Sequence, residues 1–234
     1  MALPKLDQAT FTLTIPSTKE EVTYRSFLVK EEKVLLIALE SGEPKDISRA
    51  VKQIIQNCTI SKLDVDSLAS FDLEYFFLKL RAKSISETAD LRYQCQEDDC
   101  DGVVEFNVDL NKVEVVENEA HTNKIELDKG IGLIMKLPTV DNVQGKDESK
   151  FDDIMSLIIG CIDNIYDANN VYNAKDSTKK ELQDWVEGLS REHFLKIKDY
   201  FETMPKLSHT TKVTCPKCKT KDDVVLEGLQ SFFG

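Results

Sequence analysis

The chain has six cysteines, and four of them fall in two close pairs. Cys95 and Cys100 bracket an acidic turn in "YQCQEDDCDGVVEF", while Cys215 and Cys218 bracket Pro216-Lys217 in "TKVTCPKCKTKDDVVLEGL". Both stretches share one plan: strand, paired cysteines across a tight turn, strand. Such a knuckle aims consecutive amides and two thiolates at one point, and two knuckles complete a tetrahedron of sulfurs suited to zinc. A site of this kind is coordinatively closed, so it supplies folding energy and leaves no position for substrate. Four thiolates on one divalent ion leave a formal charge of about −2. Lys212, Lys217, Lys219 and Lys221 are placed to offset it.

Other readings of the cysteines stay open: buried free thiols, a degenerate metal-free site, or a redox dithiol at Cys215 and Cys218. Two departures from a regular knuckle bear on them. The first turn has four intervening residues, and Lys219 stands where glycine would take a left-handed backbone more cheaply. Cys58, at a helix end, and Cys161, in an apolar run, read as core thiols. Of the three histidines, His121, His193 and His209, each reads as solvent-facing, and only His209, shortly before Cys215, has even a slight claim on a metal. No glycine-rich phosphate loop, GxSxG elbow or HExxH pair occurs, so the expectation is a protein that is not an enzyme.

The elements that must position the knuckles can be read from periodicity. "TFTLTI" and "VTYRSF" alternate as a hairpin around "PSTKEE". Residues 30–40 predict a short helix ended by Ser41-Gly42, and "DISRAVKQIIQNC" predicts a second with Asp46 as N-cap. "SFDLEYFFLKLRAKS" carries Leu73, Phe76, Phe77 and Leu80 on one face of a core helix. Val104, Phe106, Val108 and Leu110 alternate as a half-buried strand. A hairpin is expected in "NKIELDKGIGLIMKL", then helices over "FDDIMSLIIGCIDNIYD", over "TKKELQDWVEGL" with Thr178 and Glu181 at capping-box spacing, and from about Arg191 to Met204. Polar segments 138–150 and 167–177 read as loops.

Composition narrows the function classes. With 42 acids against 30 bases the net charge is −12, which repels a nucleic-acid phosphate backbone from the molecule as a whole. No apolar run approaches the ~20 residues of a membrane span, and no secretory leader is visible, so a soluble chain in a reducing compartment is expected.

Several pieces together resemble a known family. The opening "MALPKL", "YRSFLVKEEKVLLIALES", "FDLEYFFLKLRAKS", the paired cysteines and the closing "CPKC…LEGLQSFFG" are similar to the baseplate hub subunits, the gene-26 products, of T-even-like contractile-tailed bacteriophages. The likeness spans both ends and the first hundred residues and is weakest over 111–210. It implies a late protein made in the cytoplasm of the infected bacterium and needed to build the baseplate hub. Such a protein either stays in the tail baseplate or leaves as an assembly chaperone. Its implied partners are tail proteins, the hub and the tape measure; no small-molecule substrate or membrane is implied, and nucleic acid is disfavoured. The matching positions are Tyr24, Arg25, Phe27, Lys30 and Glu31, then Phe71, Asp72, Glu74, Tyr75, Arg81 and Lys83.

The expected fold is α+β, with three parts: an N-terminal hairpin and helices (1–92), a split four-cysteine zinc-ribbon-like module (93–110 with 211–234), and a hairpin and mainly helical insertion (111–210). Metal ligands are Cys95, Cys100, Cys215 and Cys218. Phe71, Tyr75, Arg81, Lys83, Phe232 and Phe233 are candidates for a partner surface. For the helix residues the alternative is a core helix whose Arg81 and Lys83 favour its C-terminal dipole; for the tail it is docking on the chain's own core. A zinc-ribbon nucleic-acid or transcription factor using the lysines around Cys215 and Cys218 is the rival function.

Overall fold

A computed structural model of the chain describes residues 7–146 and 149–232. The fold is α+β, and it divides into two compact units. The first gathers residues 1–66, 71–116 and 206–234; the second holds 67–70 and 117–205. Both cysteine pairs therefore belong to the first unit, contributed by two of its three chain segments.

The first unit begins with the expected hairpin, β1 (Thr10–Thr14) and β2 (Glu21–Arg25), paired antiparallel from Thr10↔Arg25 to Thr14↔Glu21. Helix α1 (Val29–Ser41) stops at Gly42, whose φ of 69° closes the helix in the left-handed region that glycine adopts without strain. Helix α2 (Pro44–Cys58) starts earlier than its Asp46 suggested: Glu43 is the N-cap and Pro44 fills the first turn, where a missing amide costs nothing. Its apolar face, Ala50, Val51, Ile54 and Ile55, is buried.

Helix α3 (Ser70–Ser84) is buried on more than the single face its pattern suggested. Besides Phe76, Phe77 and Leu80, the side chains of Phe71, Asp72, Leu78 and Lys79 lie inside, which makes α3 the central helix of the unit. Its two buried charges are satisfied. Asp72 accepts from the Ser17 amide at 3.0 Å and from its hydroxyl. Lys79 Nζ donates to the carbonyls of Leu110 (3.3 Å), Asn111 (2.7 Å) and Val113 (2.8 Å) and to Glu114 Oε1 (3.1 Å). That ammonium anchors the chain just where it turns into a short strand.

Strands β3 (Thr88–Gln94) and β4 (Val103–Asp109) pair in register from Thr88↔Asp109 to Gln94↔Val103. The short strand is β5 (Glu114–Val116), which periodicity did not reveal. It pairs with β10 (Lys206–Thr214), and β10 with β11 (Lys221–Glu227), giving the order β11-β10-β5. Beyond β11 the chain turns back: Leu229 and Phe232 are buried.

The second unit has the expected hairpin, β6 (Lys124–Asp128) and β7 (Ile131–Met135), with Gly130 in the left-handed region at the turn. A short helix, α4 (Val140–Val143), interrupts the first of the polar loops. The segment read as one helix from Phe151 is two elements, α5 (Phe151–Cys161) and strand β8 (Ile162–Tyr166). Its apolar residues fit a helical period throughout, but Ile162 to Tyr166 find ladder partners: β8 pairs with β7 on one side and β9 (Val171–Asn173) on the other. The second polar segment thus supplies an edge strand. Helix α6 (Lys179–Glu187) carries the expected capping box of Thr178 and Glu181, and α7 (Arg191–Thr203) is capped by Ser190. The sheet β6-β7-β8-β9 and these helices enclose one core that includes Leu133, Met135, Ile158, Cys161, Val186 and Ile197. Among the described residues no helix is long and apolar enough to cross a membrane.

Candidate metal centre

Each cysteine pair closes a hairpin whose ladder ends one residue before its first cysteine: Gln94↔Val103 before Cys95, and Thr214↔Lys221 before Cys215. The closing bonds match. The Cys95 amide donates to the Gly102 carbonyl and the Cys215 amide to the Thr220 carbonyl, both at 2.9 Å. Each turn holds one non-glycine residue with positive φ, Asp99 at 60° and Lys219 at 65°. The four-residue first turn is accommodated by Asp99 and by the Cys100 amide donating to the Glu97 carbonyl at 3.2 Å.

The four sulfurs lie within 4.8 Å of one another and could hold a metal ion. Sulfurs of different knuckles meet, Cys95 to Cys218 at 3.7 Å and Cys100 to Cys215 at 3.8 Å. A tetrahedron with Zn–S bonds of ~2.3 Å has S···S edges of about 3.8 Å, so the cluster has the dimensions of a tetrathiolate site. His209 is not part of it.

Amides also converge on the sulfurs. Glu97 donates from its backbone to Cys95, Gly102 to Cys100, and Thr220 to Cys218 from both amide and hydroxyl. The Thr220 donors bring the Cys218 thiol down to about 6. At Cys95 the Glu97 amide favours the thiolate, but burial and sharing of protons with the other three sulfurs outweigh it and push the thiol up to about 12. One negative sulfur discourages the next until a cation neutralises them, the electrostatic condition in which a divalent ion displaces protons.

Two contacts tie the knuckles together around the sulfurs. The Tyr93 hydroxyl donates to Asp222 Oδ2 at 2.6 Å, and Lys217 pairs with Asp101. Lys217 therefore has a carboxylate partner, while Lys219 Nζ turns to the Pro216 carbonyl at 2.8 Å. Gly102, Tyr93 and Thr220 belong to this site, and sequence reading passed over them. The available signal was small: a glycine two residues past the second cysteine of the first pair, with threonine at the same offset in the other.

The other two cysteines are core residues. Cys58 and Cys161 are fully buried, and burial pushes their thiols up to about 11 and about 12.

The candidates for a partner surface separate. Phe71 and Phe232 are 3% and 1% exposed and pack inside, so the tail docks on its own core; Phe233 lies outside the described residues. Tyr75 donates to Glu114 Oε2 at 3.1 Å, Lys83 pairs with Glu87 at 2.6 Å on the surface, and Arg81 is half-buried. Of the first matched block, Tyr24, Phe27 and Glu31 are buried, with Arg25 bonded to Glu31 at 3.1 Å and to the Asn57 carbonyl at 2.9 Å.

A family model described as T4 bacteriophage base plate protein matches residues 8–234. No curated protein and no solved structure matches the chain.

Proposed function

Because the chain belongs to the T4 bacteriophage base plate protein family, we propose that it is a baseplate hub subunit or hub assembly factor. It acts by protein–protein contact, and its partners are the hub and tape-measure proteins of a phage tail. The observation that carries this reading is the family match, which runs through both knuckles and the whole described fold. The hub assignment itself rests on the "FDLEYFFLKLRAKS" and "CPKC…LEGLQSFFG" segments and their likeness to hub subunits.

In this reading the ion is zinc, held by Cys95, Cys100, Cys215 and Cys218, and its role is structural. Four thiolates at tetrahedral spacing favour a soft, closed-shell cation and leave no vertex free for chemistry. The ion would join the 71–116 and 206–234 segments of the first unit, which a short ladder of Lys206↔Val116 to Ser208↔Glu114 also connects. The protein is synthesised in the cytoplasm of the infected cell and works at the tail baseplate. The nucleic-acid rival rests on four lysines, and Lys217 is already paired.

Co-expression with the hub and tape-measure proteins of the same phage, followed by purification on a tag carried by this chain, tests the proposal. A complex of defined mass is the expected result, and probing mature particles for the chain then separates a resident subunit from an assembly factor. Elution alone, with both candidates soluble, refutes the hub assignment.

A further inference from the structure

We infer that Gly102 is a positioning residue for the metal: its missing side chain is the space into which Cys215 closes. The inference rests on the zinc reading above and extends it to a residue that is not a ligand. Gly102 is buried, yet it is absent from the residues with positive φ, so its backbone would accept alanine. Conformational freedom does not explain it. Packing does: a Cβ at this position would stand 2.5 Å from Cys215 Sγ, 3.2 Å from Cys100 Sγ and 3.2 Å from Lys217 Cβ.

What such a collision costs depends on whether the sulfur can move. A free thiol escapes by rotating to another staggered position. A thiolate bound to zinc cannot, because a ~2.3 Å bond and three neighbouring ligands fix where it sits. The strain of an added methyl therefore falls mainly on the metal-bound state. The equivalent position in the other knuckle carries a side chain. Thr220 has the same closing bond to the first cysteine of its pair, keeps its Cβ, and turns its hydroxyl to Cys218.

The test is Gly102→Ala in the full-length chain, with three readouts. Zinc content is measured after purification without chelator, affinity by competition against a chromophoric zinc chelator, and melting temperature with and without excess EDTA. Cobalt(II) serves as the spectroscopic probe, because tetrathiolate coordination gives intense sulfur-to-cobalt absorption. The wild-type chain should hold one equivalent of zinc. The variant should bind on the order of 10- to 100-fold more weakly, the scale of inserting one methyl into a packed site. In EDTA the two proteins should melt together.

Equal zinc affinity in both proteins overturns the inference and leaves the zinc reading standing. A melting temperature lowered equally with and without EDTA also overturns it, since Gly102 would then be an ordinary packing residue. A wild-type chain that takes up neither zinc nor cobalt overturns the zinc reading and this inference with it. Should Gly102→Ala fail to fold, the same change is made in a Cys215→Ala background and its melting temperature compared with that of Cys215→Ala alone; with the colliding sulfur gone the two are expected to melt together. A double variant that melts below Cys215→Ala alone overturns the inference as well.

Discussion

Raising the pH should weaken this fold through one carboxyl group. Glu74 sits on α3 facing the C-terminal turn: it accepts a hydrogen bond from the Leu229 amide, and the Gly228 position lies against its oxygens. Burial pushes its carboxyl from 4.5 up to about 7, more than the Leu229 bond pulls it down. The folded state therefore holds a proton that the unfolded chain releases. Below pH 4.5 both states are protonated and Glu74 contributes no difference; as pH rises from 4.5 through 7 the folded state must either keep the proton or bury a charge, and stability falls. At ~1.4 kcal/mol per pH unit, the displacement from 4.5 to about 7 corresponds to a loss of about 3 kcal/mol above neutrality. Glu74→Gln removes the titration while keeping an acceptor for Leu229. Urea unfolding of both proteins at intervals between about pH 4.5 and pH 8 isolates the effect, because every other titrating group cancels in the comparison. The variant should gain about 3 kcal/mol on the wild type across that window. A gap that changes by less than about 1 kcal/mol would refute the argument that burial, and not the Leu229 amide, governs this group.

Two further outcomes follow from the same unit. Lys79→Met keeps the aliphatic stem but leaves the carbonyls of Leu110 and Val113 buried without their donor; a loss of about 3 kcal/mol is expected by urea unfolding, against under 1 for the exposed Lys83→Met. Phe232→Ala should cost about 3–5 kcal/mol if the closing segment belongs to the core, whereas a tail held in reserve for a partner would lose almost nothing in the isolated chain.

Much of the fold follows from local pattern. Helix α1 ends where Ser41-Gly42 said it would, α6 has its Thr178 box, and the β1–β2 and β6–β7 hairpins run between the turns that their residues specify. These are short-range features, decided by capping, turn chemistry and periods of two or 3.6. The misread segment shows where such reasoning stops. Ile154, Met155, Ile158, Ile159 and Ile162 keep helical spacing to the end, but β7 offers an open edge, and pairing Leu133↔Ile165 satisfies backbone groups that a longer helix would have satisfied differently. Strand β5 was invisible for a related reason: three residues carry no period, and only the arrival of β10 makes them a strand.

The candidate site divides along the same line. Two cysteine pairs with strand flanks are a statement about chain chemistry, and the four sulfurs that cluster could be named from their spacing alone. Which residues the tetrahedron needs around it could not. That Cys95 meets Cys218 and Cys100 meets Cys215, that Lys217 reaches Asp101, and that the Cys215 sulfur stands over Gly102 are consequences of packing two hairpins far apart in the chain against each other. Capping, alternation and residue type act over a few residues, so most of the elements, the two cysteine pairs and the family likeness were legible in the chain, while β5 and β8 were not. Only the tertiary structure decided that α3 is enclosed, that Phe232 is core and that a glycine stands under a sulfur, because each of these depends on atoms the sequence places far away.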